Sequence, residues 1–148
     1  MPRIERSAEI VWEGNLARGA GSISAATGAF TGLPYSNATR IGQPEGKTSP
    51  EELLAAAHGA CFANSLAAEL TVIGHPPGRL EVGCRIAMDE VEGNGHQIVG
   101  SAVTVTARIP DLEAATFAHA VELADAGCPL SALLKRSGAT VTVAADLA

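Results

Sequence analysis

Aromatic side chains are nearly absent from this 148-residue chain, where Phe, Trp and Tyr together make up 3%. A core without large rings must be built from Ala, Val, Leu and Ile, which implies closely packed helices and small pockets. Basic charge is scarce as well. Ten Lys and Arg stand against sixteen Asp and Glu, a net charge of -6, and the densest basic run is Lys135-Arg136. Neutralising phosphates needs clustered Lys and Arg, so the composition argues against a nucleic-acid partner and, for the same reason, against an anionic membrane surface. No window holds roughly 18 uninterrupted apolar residues, the length a membrane span needs. The stretch Met1-Pro2-Arg3-Ile4-Glu5-Arg6-Ser7 lacks the apolar region of a secretory signal, so the expected location is the cytosol. Cysteine is sparse and odd in number, three in all with no CxxC pair. That fits neither a disulfide-dense secreted framework nor a zinc ribbon, and no metal or other cofactor is expected.

What the chain does have is apolar content, 47% hydrophobic against 18% charged, which excludes a disordered polymer and is enough for one core. A single domain over residues 1–148 is expected. From Ser7 to Glu13, Ala8, Ile10 and Trp12 alternate with Glu9, Val11 and Glu13, the period of a strand. Segments 22–25 and 29–33, around Thr27-Gly28, extend this into a small antiparallel meander. Residues 34–49, rich in Gly, Pro, Asn and Thr, have no periodicity and are expected to form a long loop of the kind that often carries function. Ser49-Pro50-Glu51-Glu52 then combines three helix-start signals: a Ser cap, Pro in the first helical position and Glu three residues after the cap. The helix runs to about Ile73 with apolar residues nearly all round it, the mark of an element buried on several sides. Gly59 inside it costs about 1 kcal/mol relative to Ala, which predicts a close approach by another chain segment or a ligand.

Leu80, Val82, Cys84, Ile86 and Met88 form one face of a strand, and Val99, Val103, Val105, Ala107 and Ile109 the matching face of the next, with Gly93-Asn94-Gly95 as the turn between them. Asp111 is placed to cap a helix over 112–126 that ends at Gly127. A short helix follows Cys128-Pro129 through Arg136, and 140–143 closes as a strand. The order of elements indicates an α+β domain.

Each residue able to do chemistry also has a plain structural explanation. Cys61, between Ala60 and Phe62, resembles an inert apolar filler. Cys128 precedes Pro129 at a helix N-terminus, where free N–H groups and the helix dipole favour a thiolate. Cys84 shares a strand face with Val82 and Ile86 and reads as core. Cys61 and Cys128 are therefore the two thiols of interest. His58 lies three residues before Cys61, close enough on the helix to raise a Cys–His pair or a metal site, but no further ligand stands at suitable spacing. His75, His96 and His119 look like loop and surface residues. Glu51 and Glu52 suit the acidic first turn of a capped helix, and Arg40 a solvated loop charge.

Taken together, Trp12-Glu13-Gly14, Gly19, Gly21, Pro34-Tyr35, Thr39-Arg40, Pro50-Glu51-Glu52-Leu53, Ala57-His58, Ala60-Cys61-Phe62 and Ala126-Gly127-Cys128-Pro129 closely resemble the osmotically inducible branch of the OsmC/Ohr family. The resemblance spans nearly the whole chain. It implies an α+β fold of two small antiparallel sheets around a long buried helix, an intertwined homodimer, and a thiol-dependent peroxidase that reduces organic hydroperoxides. It further implies that Cys61 is the peroxidatic thiol, that Cys128 resolves it as a disulfide, and that Arg40 and Glu51 are the polar pair beside Cys61. The expected reductant is a dithiol, of the dihydrolipoyl type carried on a protein. The chemistry suits these residue types. A buried thiol is held protonated unless a fixed cation offsets the cost, and a guanidinium gripped by a carboxylate is such a cation. Ten helical residues separate Glu51 from Cys61, about 15 Å, so either Arg40 bridges them or the dimer does, and a composite site drawing on both subunits is the expectation. Leu33, Tyr35, Phe62, Pro129 and Leu130 are the candidate apolar contacts for substrate. Two other functions compete: a non-catalytic protein binding a lipid-like ligand in the dimer cleft, and acyl transfer by Cys61 with His58 as base.

Overall fold

The computed structural model describes residues 1–148, which divide into two compact units, Met1–Pro50 and Glu51–Ala148. In the first, β1 (Ala8–Glu13), β2 (Ala20–Ala25) and β3 (Leu33–Tyr35) form an antiparallel meander in that order. The third strand lies later than the composition of 29–33 suggests, because Gly28 and Gly32 take positive φ and give that stretch to the turn. Residues 34–49 are not one long loop. β3 runs on through Pro34 and Tyr35, and α1 (Asn37–Ile41) follows at once. Ser36 starts that helix by accepting a hydrogen bond from the Thr39 amide at 3.1 Å, a local side-chain signal that periodicity does not register. Gly21 has a steric reason: a Cβ there would come within 2.4 Å of the Tyr35 ring, which lies across the strand and meets Trp12 at a centroid distance of 5.6 Å. Every residue of β1 is exposed, Ile10 and Val11 included.

The second unit is built on α2 (Pro50–Val72), β4 (Arg79–Val91), β5 (Gly95–Arg108), α3 (Ala114–Gly127), α4 (Pro129–Arg136) and β6 (Thr140–Leu147). β4 and β5 pair as the expected antiparallel hairpin. The expectation of two antiparallel sheets fails for the last strand, since β6 runs parallel to β5 in the order β4-β5-β6. The two helices between them supply the crossover that a parallel pair requires. β6 is also longer than 140–143. Asp111 does not cap α3. It sits at φ 57 in a turn, and Glu113 holds the cap position without a side-chain bond.

The expectation that α2 is buried on several sides also fails within the chain. Only His58, Gly59, Phe62, Leu66 and Leu70 are buried, a single stripe at helical spacing, while Val72 and Ile73 are exposed. The periodicity could not distinguish a core face from a second apolar face. The buried stripe packs with Val103, Val105, Ala107 and Ile109 and with Phe117, Ala120, Val121 and Ala124 of α3. Gly59 is where β4 comes close, since a Cβ there would meet the Cβ of Cys84 at 3.4 Å. Phe62 is fully enclosed, so Phe62→Ala should cost about 3–5 kcal/mol of unfolding free energy, measurable by urea titration.

Candidate active site

Cys128 is the one residue between α3 and α4. The following Pro129 disfavours a helical conformation at position 128 and itself needs no N–H partner in the first turn of α4, so the chain breaks there and restarts at once. Cys128 takes φ -76 and ψ 115, and its sulfur accepts a hydrogen bond from the Ser131 amide at 3.5 Å, the arrangement of an N-capping side chain. The residue is fully buried. Cys61, half-buried on α2, packs against the same core, and its thiol donates a hydrogen bond to the Cys128 sulfur while the Leu130 amide donates to Cys61. Two of the expected residues are thus in direct contact, with Pro129 and Leu130 beside them.

The charge of this pair is unequally shared. Burial pushes the Cys61 thiol up, the neighbouring Cys128 sulfur adds to the shift, and the Leu130 N–H only partly opposes it. Burial pushes Cys128 up as well, but the N–H and O–H of Ser131, the Cys61 thiol and the Leu130 amide outweigh it and leave Cys128 below its ordinary value. Within this unit ionisation is therefore eased at Cys128 and opposed at Cys61.

His58 is fully enclosed, with Nδ1 at 2.6 Å from the Ser101 hydroxyl and Nε2 at 2.7 Å from that of Ser131. Both ring nitrogens are occupied, which leaves none for a metal or for Cys61. Burial lowers its basicity, Asp125 works against that, and Lys135 reinforces it. Cys84 lies at the far end of the network, 3.4 Å from Ser101 and 3.8 Å from His58 Nδ1. Ser101 and Ser131 were not among the sequence candidates. Both carried a signal: Ser101 is a polar residue in the inward series that continues through Val103 and Val105, and Ser131 follows Cys128 at the cap-to-third-residue spacing.

In the first unit, Arg40 stands in the last turn of α1 and lines a cleft of about 210 Å³ with Trp12, Leu16, Tyr35, Ser36 and Asn37. It is carried by a capped helix rather than by a loose loop. Leu33 and Tyr35 lie on β3. Glu51 occupies the first turn of α2, ten residues before Cys61, a rise of about 15 Å along the helix. Phe62 is sealed in the core.

Residues 42–144 match the family model described as OsmC-like protein. The protein named peroxiredoxin OsmC of Escherichia coli K12 is 35% identical over 132 residues, 89% of this chain and 91% of that one. Among solved structures, an OsmC-like protein of Vibrio cholerae aligns with a TM-score of 0.79 at 12% identity, over 97% of this chain and 100% of that one. The organic hydroperoxide resistance protein OhrB of Bacillus subtilis aligns at 0.66 and 23%, over 96% and 98%. At these identities the two structures speak for the fold, while the extent of the family match and the similarity to the Escherichia coli protein establish that this chain belongs to the OsmC-like protein family.

Proposed function

We propose that this chain is a peroxide-reducing enzyme, and specifically a two-cysteine peroxidase acting on organic hydroperoxides in the cytosol as one domain. The observation that carries the proposal is the placement of Cys61 against Cys128 in one packed cluster, a half-buried thiol beside a fully buried one whose ionisation is eased, in a chain 35% identical to a protein named peroxiredoxin OsmC. In the first step the Cys61 thiolate attacks the outer peroxide oxygen. The O–O bond breaks, the alkoxide leaves and takes a proton to become the alcohol, and Cys61 is left as the sulfenic acid. The Cys128 thiolate then attacks the Cys61 sulfur. The S–S bond forms as the S–O bond breaks, and the departing hydroxide takes a proton to become water. An external dithiol, of the dihydrolipoyl class, exchanges with the disulfide and returns both thiols.

Arg40 is assigned the cation that Cys61 requires, holding its thiolate and donating to the departing alkoxide, with Glu51 fixing the guanidinium. The separation of Glu51 from Cys61 along α2 supports a homodimer whose sites draw on both subunits. Exposed Ile10 and Val11 on β1 and Val72 and Ile73 at the end of α2 are consistent with surfaces a partner would cover. Leu33, Tyr35, Pro129 and Leu130 are assigned to the apolar part of the substrate. Phe62, being enclosed, would act by shaping the wall behind Cys61.

Thiol titration before and after one equivalent of cumene hydroperoxide, with peptide mapping, tests the central claim. Two thiols should disappear, mapped to Cys61 and Cys128, with Cys84 still free; three thiols persisting in the folded protein would leave non-catalytic ligand binding in its place. Arg40→Met should lower the peroxide-dependent rate about a hundredfold, the cost of one donor aimed at a developing oxyanion. Its rate should also rise only at higher pH than the parent's, because Cys61, already pushed up by burial, loses its counter-charge. Mixing Arg40→Met with Cys61→Ser protein under subunit exchange should restore turnover if Arg40 acts across a dimer, and restore none if it acts within its own chain.

A further inference from the structure

His58 belongs to no step described above, yet it is one of the most completely enclosed polar groups in the molecule and links four segments of chain. It sits on α2, its two nitrogens bond hydroxyls on β5 and α4, and the second of those hydroxyls belongs to Ser131, whose amide donates to the Cys128 sulfur at 3.5 Å and whose side chain helps lower that thiol below its ordinary value. The groups facing it are Cys84 from β4, Ser101 from β5, Asp125 from α3, and Ser131 and Lys135 from α4, with Cys128 one hydrogen bond further on. Asp125 and Lys135 pair with each other at 2.5 Å, so their charges largely offset at the ring.

A neutral imidazole has one N–H and one acceptor nitrogen, so only two arrangements are open to it. If the proton is on Nε2, the ring donates to Ser131 Oγ, whose own proton is then directed at the Cys128 sulfur. Nδ1 accepts from the Ser101 hydroxyl, and Ser101 accepts from the Cys84 thiol. If the proton is on Nδ1, every bond reverses: the Ser131 proton points back at the ring, and Cys128 keeps only the Ser131 and Leu130 amides and the Cys61 thiol. A hydroxyl donating to an anionic sulfur is charge-assisted, whereas the reversed arrangement directs a hydroxyl only at the neutral sulfur of Cys84. The charge on Cys128 therefore selects the first arrangement, and that arrangement in turn steadies the charge.

We propose that His58 is a positioning residue for Cys128, fixing the Ser131 hydroxyl so that its proton meets the sulfur that attacks the Cys61 sulfenic acid and later leaves when the disulfide is opened. The same contact serves both steps, because a sulfur better held as an anion departs faster in exchange. Cys128 is fully buried and Cys61 is not, so an external thiol reaches the disulfide at Cys61 and expels Cys128. These catalytic consequences rest on the two-cysteine function proposed above, whereas the effect on Cys128 itself does not.

In a Cys61→Ser, Cys84→Ser background the sole thiol is Cys128, and its ionisation can be followed by thiolate ultraviolet absorbance against pH. His58→Asn, which ends at the Nδ1 position, should weaken Cys128 ionisation about tenfold, in line with the loss of a hydrogen bond to a charged group. His58→Gln, whose amide nitrogen reaches the Nε2 position, should restore most of it. Should the Asn variant fail to fold, Ser131→Ala against Ser131→Thr gives the same comparison, loss without the hydroxyl and recovery with it. In the three-cysteine protein, rapid mixing with hydroperoxide should show the disulfide-forming phase slowed about tenfold relative to the peroxide-dependent phase in His58→Asn. Identical Cys128 titrations in folded parent, Asn and Gln variants, or in parent and Ser131→Ala, would overturn the proposal. Absence of any peroxide-dependent phase in the parent would overturn the two-cysteine function alone, because the titration decides the part played by His58 without it.

Discussion

The buried imidazole of His58 is the constraint around which the second unit is arranged. A ring with two polar nitrogens cannot be enclosed in an Ala, Val and Leu core unless both are satisfied, and the cost of leaving either one unpaired exceeds what a single hydrogen bond ordinarily contributes. Ser101 and Ser131 meet that demand from β5 and α4, which ties the middle of α2 to the sheet on one side and to the start of a short helix on the other. Cys61 lies one turn along from His58, and Cys128 caps the helix that carries Ser131. The meeting of the two thiols is thus a consequence of satisfying one histidine.

The same arrangement divides labour between two otherwise identical side chains. Cys128 is surrounded by donors, at the point where an interrupted helix exposes its first amides, and burial strengthens those donors as it removes competing water. Cys61 receives one amide and the repulsion of its neighbour's charge. A pair built this way eases ionisation at one sulfur and opposes it at the other.

Much of this was legible from local chemistry. The start of α2 at Pro50, the β4–β5 hairpin around Gly93-Asn94-Gly95, and the restart of the chain at Cys128-Pro129 all follow from residues that constrain their own backbone. The places where local reading failed are equally specific. Ser36 capping α1 and the length of β6 depend on hydrogen bonds to residues that periodicity does not weigh, and Asp111 takes a positive φ in a turn rather than the cap position. The apolar girdle of α2 was correctly seen as apolar but not as one buried stripe with a half-buried and exposed remainder, because composition reports what a face can do and not what is placed against it.

By itself the sequence determined the α+β class and the family, since these reside in residue types at fixed spacings along the chain. Only the tertiary structure decided that Cys61 and Cys128 pack together, that ionisation is eased at Cys128 and opposed at Cys61, and that His58 serves Ser131 and Ser101 instead of the neighbouring thiol. The physical reason is that ionisation and hydrogen-bond direction are set by what surrounds a group in space. Residues as distant in the chain as 58, 101 and 131 bring their donors and acceptors together only once the helices and the sheet have packed.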